Sequence, residues 1–239
     1  MIALLCSVQP EASVLLDRMT GGRPSTIGSK LFVEGALGGR SVVLCIGGMG
    51  KVNAAHAATL AIERYRPGAV IIFGIGGAYP SSGAKVGDVV LAKDEIAGDE
   101  GVLTHEGFKD TEYIGIPLLK LSATGIYNTY PASDRLLENA TATLGSEAGA
   151  PRVGTFVTLS TCTGTSTRAR ELEARYNGLC ENMEGAAAAH VALSHGLPWL
   201  ELRGISNIVQ DRDLATWDIP RAARAVQNAV VRVLEAWKP

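Results

Sequence analysis

The chain has 239 residues, a hydrophobic fraction of 46% and a formal net charge of −2. At this length roughly 70% of the unfolded chain's surface can be buried, so the core needs no disulfide or metal to stabilise it. The near-neutral charge excludes the basic field expected of a nucleic-acid or membrane-surface binder, and no apolar run approaches the ~18 residues of a membrane span.

The cysteines and the amino terminus both indicate a cytoplasmic protein. The four cysteines are scattered and form no C-x-x-C pair, which is typical of reduced thiols. Three of them stand in or beside apolar runs and are predicted core residues, whereas Cys162 lies in a polar segment. The opening sequence IALLCSV has no charged segment before it, so it predicts a first strand rather than a signal peptide.

Strand and helix patterns alternate through the first part of the chain. Strands are predicted at residues 2–8, 31–37, 41–46, 69–73 and 86–96. The second and third of these form a hairpin across Gly38 and Gly39. One helix is predicted to begin at Pro10 and to end at Gly21, and another covers residues 51–65.

The alternation continues to the carboxyl terminus. Residues 98–128 are polar and glycine-rich, and they predict a loop that covers part of the molecule. Further strands are predicted at residues 152–159 and 197–205, and further helices at 132–144, 168–176, 185–195 and 219–237. We find no repeat and no linker. The pattern predicts a single three-layer α/β/α domain over residues 1–239, with a mixed central sheet.

A glycine-rich segment, Gly74-Ile75-Gly76-Gly77, follows the strand predicted at residues 69–73. A dinucleotide-binding loop occupies such a position, but Pro80 and a turn follow in place of the helix that the G-x-G-x-x-G fingerprint requires. A tight turn explains these glycines at least as well as a ligand loop. They would permit a flat or sugar-like ligand to approach the backbone closely.

Four polar or aromatic residues are candidates for function, each beside a simpler explanation. Glu11 either complements a helix dipole or acts as a base at the carboxyl edge of the sheet. Glu184 begins a helix of small residues; if it is drawn inward its carboxylate needs donors, which a sugar diol would supply. Asn207 ends a strand, where polar residues often only form turns. Trp217 either packs in the core or covers an aromatic ligand.

Metal and cofactor signatures are missing from the sequence. The four histidines show no metal-ligand spacing and are predicted to be structural. No Walker loop, G-x-S-x-G motif or zinc signature occurs. We therefore expect no metal and no cofactor.

Four segments together resemble one family. They are residues 1–12 with Glu11, FGIGGAYPSSGAKVGDVV at 73–90, NMEGAAAAHVA at 182–192 and RGISNIV at 203–209. In this order, over nearly the whole chain, they are similar to the purine nucleosidase and nucleoside phosphorylase superfamily. Within it the chain resembles the methylthioadenosine/adenosylhomocysteine nucleosidases, and most closely the futalosine hydrolases of menaquinone biosynthesis. The resemblance implies a hydrolase of an N-ribosidic bond, a small nucleoside substrate and a homo-oligomer, in particular a dimer.

The resemblance also implies roles for single residues. Glu11 falls on the family's general base for water, and Asn207 on the residue that reads the leaving purine. The substrate-binding positions fall on Gly74, Ile75, Gly76, Gly77, Thr161, Thr163, Met183, Glu184 and Trp217. Of these, Glu184 would hold the ribose 2′ and 3′ hydroxyls, Trp217 would pack against the 5′ substituent, and the segment from Thr161 to Thr163 would hold the purine edge.

Asn207 is a departure from the adenine-cleaving relatives, which have Asp at this position. A 6-oxopurine presents N7 and O6 as acceptors, and a carboxamide can donate to them whereas a carboxylate cannot. Asn207 therefore favours a 6-oxopurine leaving group, as in futalosine, although its amide cannot give up a proton, so solvent would complete the protonation.

The alternatives are a methylthioadenosine-type nucleosidase, a purine phosphorylase and a nucleoside-binding sensor without activity. A phosphorylase would need arginines converging on phosphate, and residues 7–12 contain none.

Overall fold

The computed structural model describes residues 1–121, 124–148 and 150–237. Its strands are β1 Ile2–Cys6, β2 Thr20–Ile27, β3 Lys30–Leu37, β4 Arg40–Ile46, β5 Ala69–Ala78, β6 Val89–Ala97, β7 Gly101–Thr104, β8 Gly107–Asp110, β9 Leu119–Leu121, β10 Thr124–Ile126, β11 Thr129–Pro131, β12 Arg152–Thr158, β13 Gly178–Asn182 and β14 Trp199–Ile208. Its α-helices are α1 Ser13–Arg18, α2 Lys51–Tyr65, α3 Thr111–Ile114, α4 Asp134–Ala148, α5 Ser166–Tyr176, α6 Gly185–Ser194 and α7 Ile219–Glu235.

A mixed sheet of ten strands forms the central layer. Its order is β11-β6-β12-β13-β5-β1-β4-β3-β2, with β14 paired to β5 and β6. One apolar cluster joins the sheet to α2 and α6, and a second joins it to α1, α4 and α7 on the opposite side. The predicted α/β/α class with a mixed sheet is confirmed. Within the described residues, we find no helix that combines the length and the hydrophobicity needed to span a membrane.

Strand β5 organises the site because its two edges are occupied differently. Strand β14 runs parallel to it along one edge from Val70 to Ala78. The other edge pairs with β1 over residues 69–72 and then with β13 at Gly77 and Ala78. The carboxyl ends of β1, β5, β13 and β14 therefore converge on one region, which is where ligands bind in α/β proteins.

Several predicted elements are confirmed and others are wrong. Helix α2 and the β3–β4 hairpin have the predicted positions. Residues 74–77 are not a loop: they continue β5, because their backbone groups pair with β13 and β14. The first helix ends at Arg18 rather than at Gly21, and the unpredicted strand β2 follows it.

The predicted loop at residues 98–128 contains two small hairpins, β7–β8 and β9–β10, and the short helix α3. Its residues 122 and 123 lie outside the described part of the chain, as do residues 149, 238 and 239 of the predicted domain. Cys6, Cys45 and Cys180 are buried free thiols and Cys162 is exposed, as predicted.

Candidate active site

A cavity of about 280 Å³ lies at the converging strand ends. Most of the predicted site residues line it together: Glu11, Ile75, Gly76, Gly77, Thr163, Met183, Glu184, Asn207 and Trp217. Two do not. Gly74 is buried behind the cavity, where an added Cβ would lie 2.7 Å from Glu11 Oε1, and Thr161 is exposed outside the lining.

Glu11 is held rigidly in the cavity wall. It stands at the end of a short 3-10 turn after β1 and is 4% exposed. Its Oε2 accepts the backbone N–H groups of Ser7 at 3.0 Å and Val8 at 3.2 Å, and its Oε1 accepts that of Ile75 at 2.9 Å. Burial raises the pKa of Glu11, although the Arg203 guanidinium and these N–H groups oppose the rise. A buried, oriented carboxylate with a raised pKa is suited to act as a general base.

Glu184 lies at the start of helix α6 and is 8% exposed. Its Oε1 accepts the Gly50 backbone N–H at 2.9 Å, and its Oε2 contacts Arg203 Nη1 at 3.3 Å. The protein thus supplies the donors that the sequence led us to expect from a sugar. Because a carboxylate has about four lone-pair directions, both oxygens can still accept further hydroxyls.

Arg203 is a buried residue that the sequence analysis missed. On β14, it is 1% exposed and its Nε donates to Glu201 Oε1 at 2.7 Å. Its Nη1 also donates to the Ile75 carbonyl at 3.1 Å, and its Nη2 to Asn182 Oδ1 at 3.3 Å. Burial alone would lower the pKa of Arg203, but the carboxylates of Glu201 and Glu184 raise it. The sequence signal was the charged pair at positions 201 and 203 within an otherwise apolar strand.

Behind the arginine, the carboxyl groups of Glu95 and Glu201 form a pair that is wholly buried. A Cβ added to Gly185 would lie 2.0 Å from Glu95 Oε1 and 2.4 Å from Glu201 Oε2. Glu95 also accepts the Thr158 hydroxyl at 2.7 Å and the Asn182 amide at 2.5 Å. Burial and the charge of Glu201 raise the pKa of Glu95. Two carboxyl groups that share a buried site disfavour ionisation of both, because like charges at this distance repel.

Asn207 lies at the far side of the cavity and is 7% exposed. Its Oδ1 accepts the Ser206 hydroxyl at 2.8 Å, and its Nδ2 donates to the Ile208 carbonyl at 3.1 Å. This leaves one N–H of the amide for a ligand. The Ile208 carbonyl can only accept a hydrogen bond, so it is this contact that fixes the orientation of the amide.

Glu181 is the second residue that the sequence analysis missed. It lines the cavity on β13, 8% exposed, beside the predicted Thr163. Its Oε1 accepts the Thr163 N–H at 2.8 Å, and its Oε2 accepts the Thr163 hydroxyl at 2.6 Å and the Tyr79 hydroxyl at 3.2 Å. Burial raises the pKa of Glu181, and the two Thr163 hydrogen bonds oppose the rise.

The remaining wall of the cavity is less polar and more exposed to solvent. The Arg212 guanidinium lies 4.9 Å from the centre of the Trp217 ring, a cation–π contact. Met183 contacts Cys162, with 3.3 Å between the two sulfur atoms. The half-buried Trp217 and the thioether of Met183 give this side of the cavity an apolar surface suited to a flat or aliphatic group.

The chain resembles known proteins in both sequence and fold. The model of the phosphorylase superfamily matches residues 1–235. The futalosine hydrolase of Streptomyces coelicolor is 41% identical over 71% of this chain and 68% of its own length. That of Acidothermus cellulolyticus is 32% identical over 98% of this chain and 90% of its own. The S-adenosylhomocysteine nucleosidase of Streptococcus pyogenes, solved with 5-methylthiotubericidin, has a similar fold, with a TM-score of 0.87 and 23% sequence identity. The superposition covers 100% of this chain and 97% of that chain.

Proposed function

The chain belongs to the phosphorylase superfamily and is related to the futalosine hydrolases, and from this premise we propose that it hydrolyses the N-ribosidic bond of futalosine. The products are hypoxanthine and dehypoxanthinyl futalosine. The observation that carries the proposal is the meeting of Glu11, Glu184 and Asn207 in one cavity. We also propose that the protein acts in the cytoplasm as a homo-oligomer, as the family resemblance implies.

Each of the three residues has a separate role in the reaction. Breaking a C–N ribosidic bond builds positive charge on the sugar and negative charge on the leaving purine, by analogy with glycoside hydrolysis. Glu11 takes a proton from the attacking water. Glu184 binds the ribose hydroxyls, and its charge favours the oxocarbenium ion. The free N–H of Asn207 donates to the departing purine, and solvent completes its protonation.

Water rather than phosphate is the favoured nucleophile. The carboxylates of Glu11, Glu181 and Glu184 all line the cavity, and they would repel a phosphate dianion. Arg203 lies close by, but its guanidinium already donates to Glu201, Glu184 and two other acceptors. Hydrolysis therefore fits the charge of this cavity better than phosphorolysis does.

The direct test measures base release from futalosine, methylthioadenosine and inosine, each with and without phosphate. We expect hypoxanthine from futalosine at a rate that does not depend on phosphate. Efficient adenine release with futalosine inert would overturn the assignment, and a phosphate requirement would make the protein a phosphorylase.

Asn207→Asp is expected to shift the base preference. A carboxylate at this position repels O6 and accepts from a 6-amino group, so kcat/KM for futalosine should fall by about tenfold or more relative to its 6-amino analogue. The ratio of the two kcat/KM values is the measurement. Asn207→Ala is the control, because it removes the donor without adding a charge and should slow both substrates. An unchanged ratio in Asn207→Asp would show that Asn207 does not select the base.

A further inference from the structure

Glu181 and Asn207 stand on opposite sides of the same glycine. In the sheet, Gly77 of β5 pairs with Glu181 of β13 on one edge and with Asn207 of β14 on the other. Neighbouring strands are about 4.8 Å apart, so the two outer Cα atoms are separated by roughly 10 Å. All three residues line the cavity.

The two side chains lie on one face of the sheet. A Cβ added to Gly77 would lie 3.2 Å from Asn207 Nδ2, which places the amide on the face to which residue 77 points. Tyr79 is two residues further along and points to the same face, and its hydroxyl donates to Glu181. Gly77 has no side chain, and Val209 Cγ2 lies 2.7 Å from where its Cβ would be, so the backbone of Gly77 and the side chain of Val209 form the cavity floor between the carboxylate and the carboxamide.

A 6-oxopurine has the polarity that this carboxylate and carboxamide require. Its N7 and O6 accept hydrogen bonds on one side of the ring, and its N1–H is a donor on the pyrimidine side. An adenine has the opposite polarity there, since its N1 is an acceptor and its 6-amino group a donor. A flat ring lying over Gly77 would thus meet the N–H of Asn207 on one side and the carboxylate of Glu181 on the other.

Glu181 has the capacity to accept one more hydrogen bond. Its Oε1 receives a single bond, from the Thr163 N–H, whereas a carboxylate oxygen offers two lone pairs. The three donors from Thr163 and Tyr79 fix the position of the carboxylate. Such anchoring makes Glu181 a pre-oriented acceptor rather than a solvated surface charge.

We propose that Glu181 accepts the N1–H of the 6-oxopurine and is, together with Asn207, a determinant of base specificity. The inference rests on the proposed function and adds a second contact to the leaving group. Glu181 thereby rejects adenine independently of Asn207, because its carboxylate faces the unprotonated N1 with like polarity.

Glu181→Gln tests the inference with futalosine and its 6-amino analogue. The amide can donate to an adenine N1, so kcat/KM for futalosine should fall by about 10- to 100-fold while that for the analogue falls less or rises. Tyr79→Phe is the matched control: it removes one support of the carboxylate but leaves the acceptor, so the ratio of the two kcat/KM values should stay near that of the wild type. An equal loss on both substrates in Glu181→Gln would assign Glu181 a structural role and overturn the inference.

A measurement on the wild-type protein does not depend on the variant folding. Hypoxanthine should bind about tenfold or more tightly than N1-methylhypoxanthine, which lacks the N1–H; equal Kd values would contradict the inference. The two proposals fail separately. If wild-type protein releases no hypoxanthine from futalosine, the proposed function fails, whereas normal release with an unchanged ratio in Glu181→Gln removes only the role of Glu181.

Discussion

Glu11→Gln is expected to lower kcat for futalosine hydrolysis by about 10²- to 10⁴-fold, the usual contribution of a general base. The amide has nearly the same shape and its oxygen can still accept backbone N–H groups, but it cannot take a proton from water. KM should change little, because Glu11 does not hold the sugar or the base in this mechanism. Single-turnover release of hypoxanthine measures the loss. Glu63→Gln, at an exposed carboxylate bonded to His195, is the control and should match the wild type.

The pH dependence provides a second measure of the same residue. The rate requires ionised Glu11, so it falls as the pH drops through the pKa of this carboxyl. Burial raises that pKa, and the acid limb of kcat/KM should therefore lie above the ordinary range of a glutamate. In Glu11→Gln the residual rate should lose this limb. A variant that keeps both the rate and the acid limb would show that another group activates the water.

Arg203→Met is expected to destabilise the protein by about 3–5 kcal/mol, the usual loss when one partner of a buried ion pair is removed. The variant leaves the carboxylates of Glu201 and Glu184 without their shared cation. Urea unfolding measures the free energy, and Tm should fall by about 6–20 °C. Arg64→Met, at an exposed position of α2, is the matched control and should change the free energy of unfolding by less than about 0.5 kcal/mol.

A double variant separates charge from packing. If the loss arises from uncompensated carboxylates, adding Glu201→Met to Arg203→Met should recover part of it, because the second substitution removes the buried charge nearest the arginine. Additive losses would instead indicate that packing determines the effect. A single Arg203→Met variant within about 1 kcal/mol of the wild type would mean that the buried charges are neutralised in another way.

Residues at strand ends were predictable and the network behind them was not. Glu11 and Asn207 follow apolar runs, and their position alone marks the edge at which ligands bind. Arg203 lies inside such a run, and its partners Glu201, Glu184 and Asn182 come from two strands and the start of a helix. The charged pair at 201 and 203 is visible in the sequence, but only the folded sheet brings Glu184 and Asn182 to Arg203, so the sequence does not indicate the network around the cation.

For the glycine-rich segment at residues 74–77, the sequence predicted the wrong local structure. Glycine weakens an isolated strand and is typical of turns, so residues 74–77 predicted a loop. In the fold, their backbone groups are paired by β13 and β14, and tertiary pairing overrides local preference. Strand β13 was missed for a related reason, since its polar residues Glu181 and Asn182 are satisfied by hydrogen bonds that the sequence does not show.

Gly185 leaves room for the acid pair behind the site. A methyl group there would overlap the carboxyl oxygens of both Glu95 and Glu201. To admit it, both carboxyl groups would have to move, and the hydrogen bonds of Glu95 with Thr158 and Asn182 and of Glu201 with Arg203 would be disturbed. The lack of a side chain at position 185 is therefore a requirement of the buried charge network, and through Arg203 it also bears on the position of Glu184.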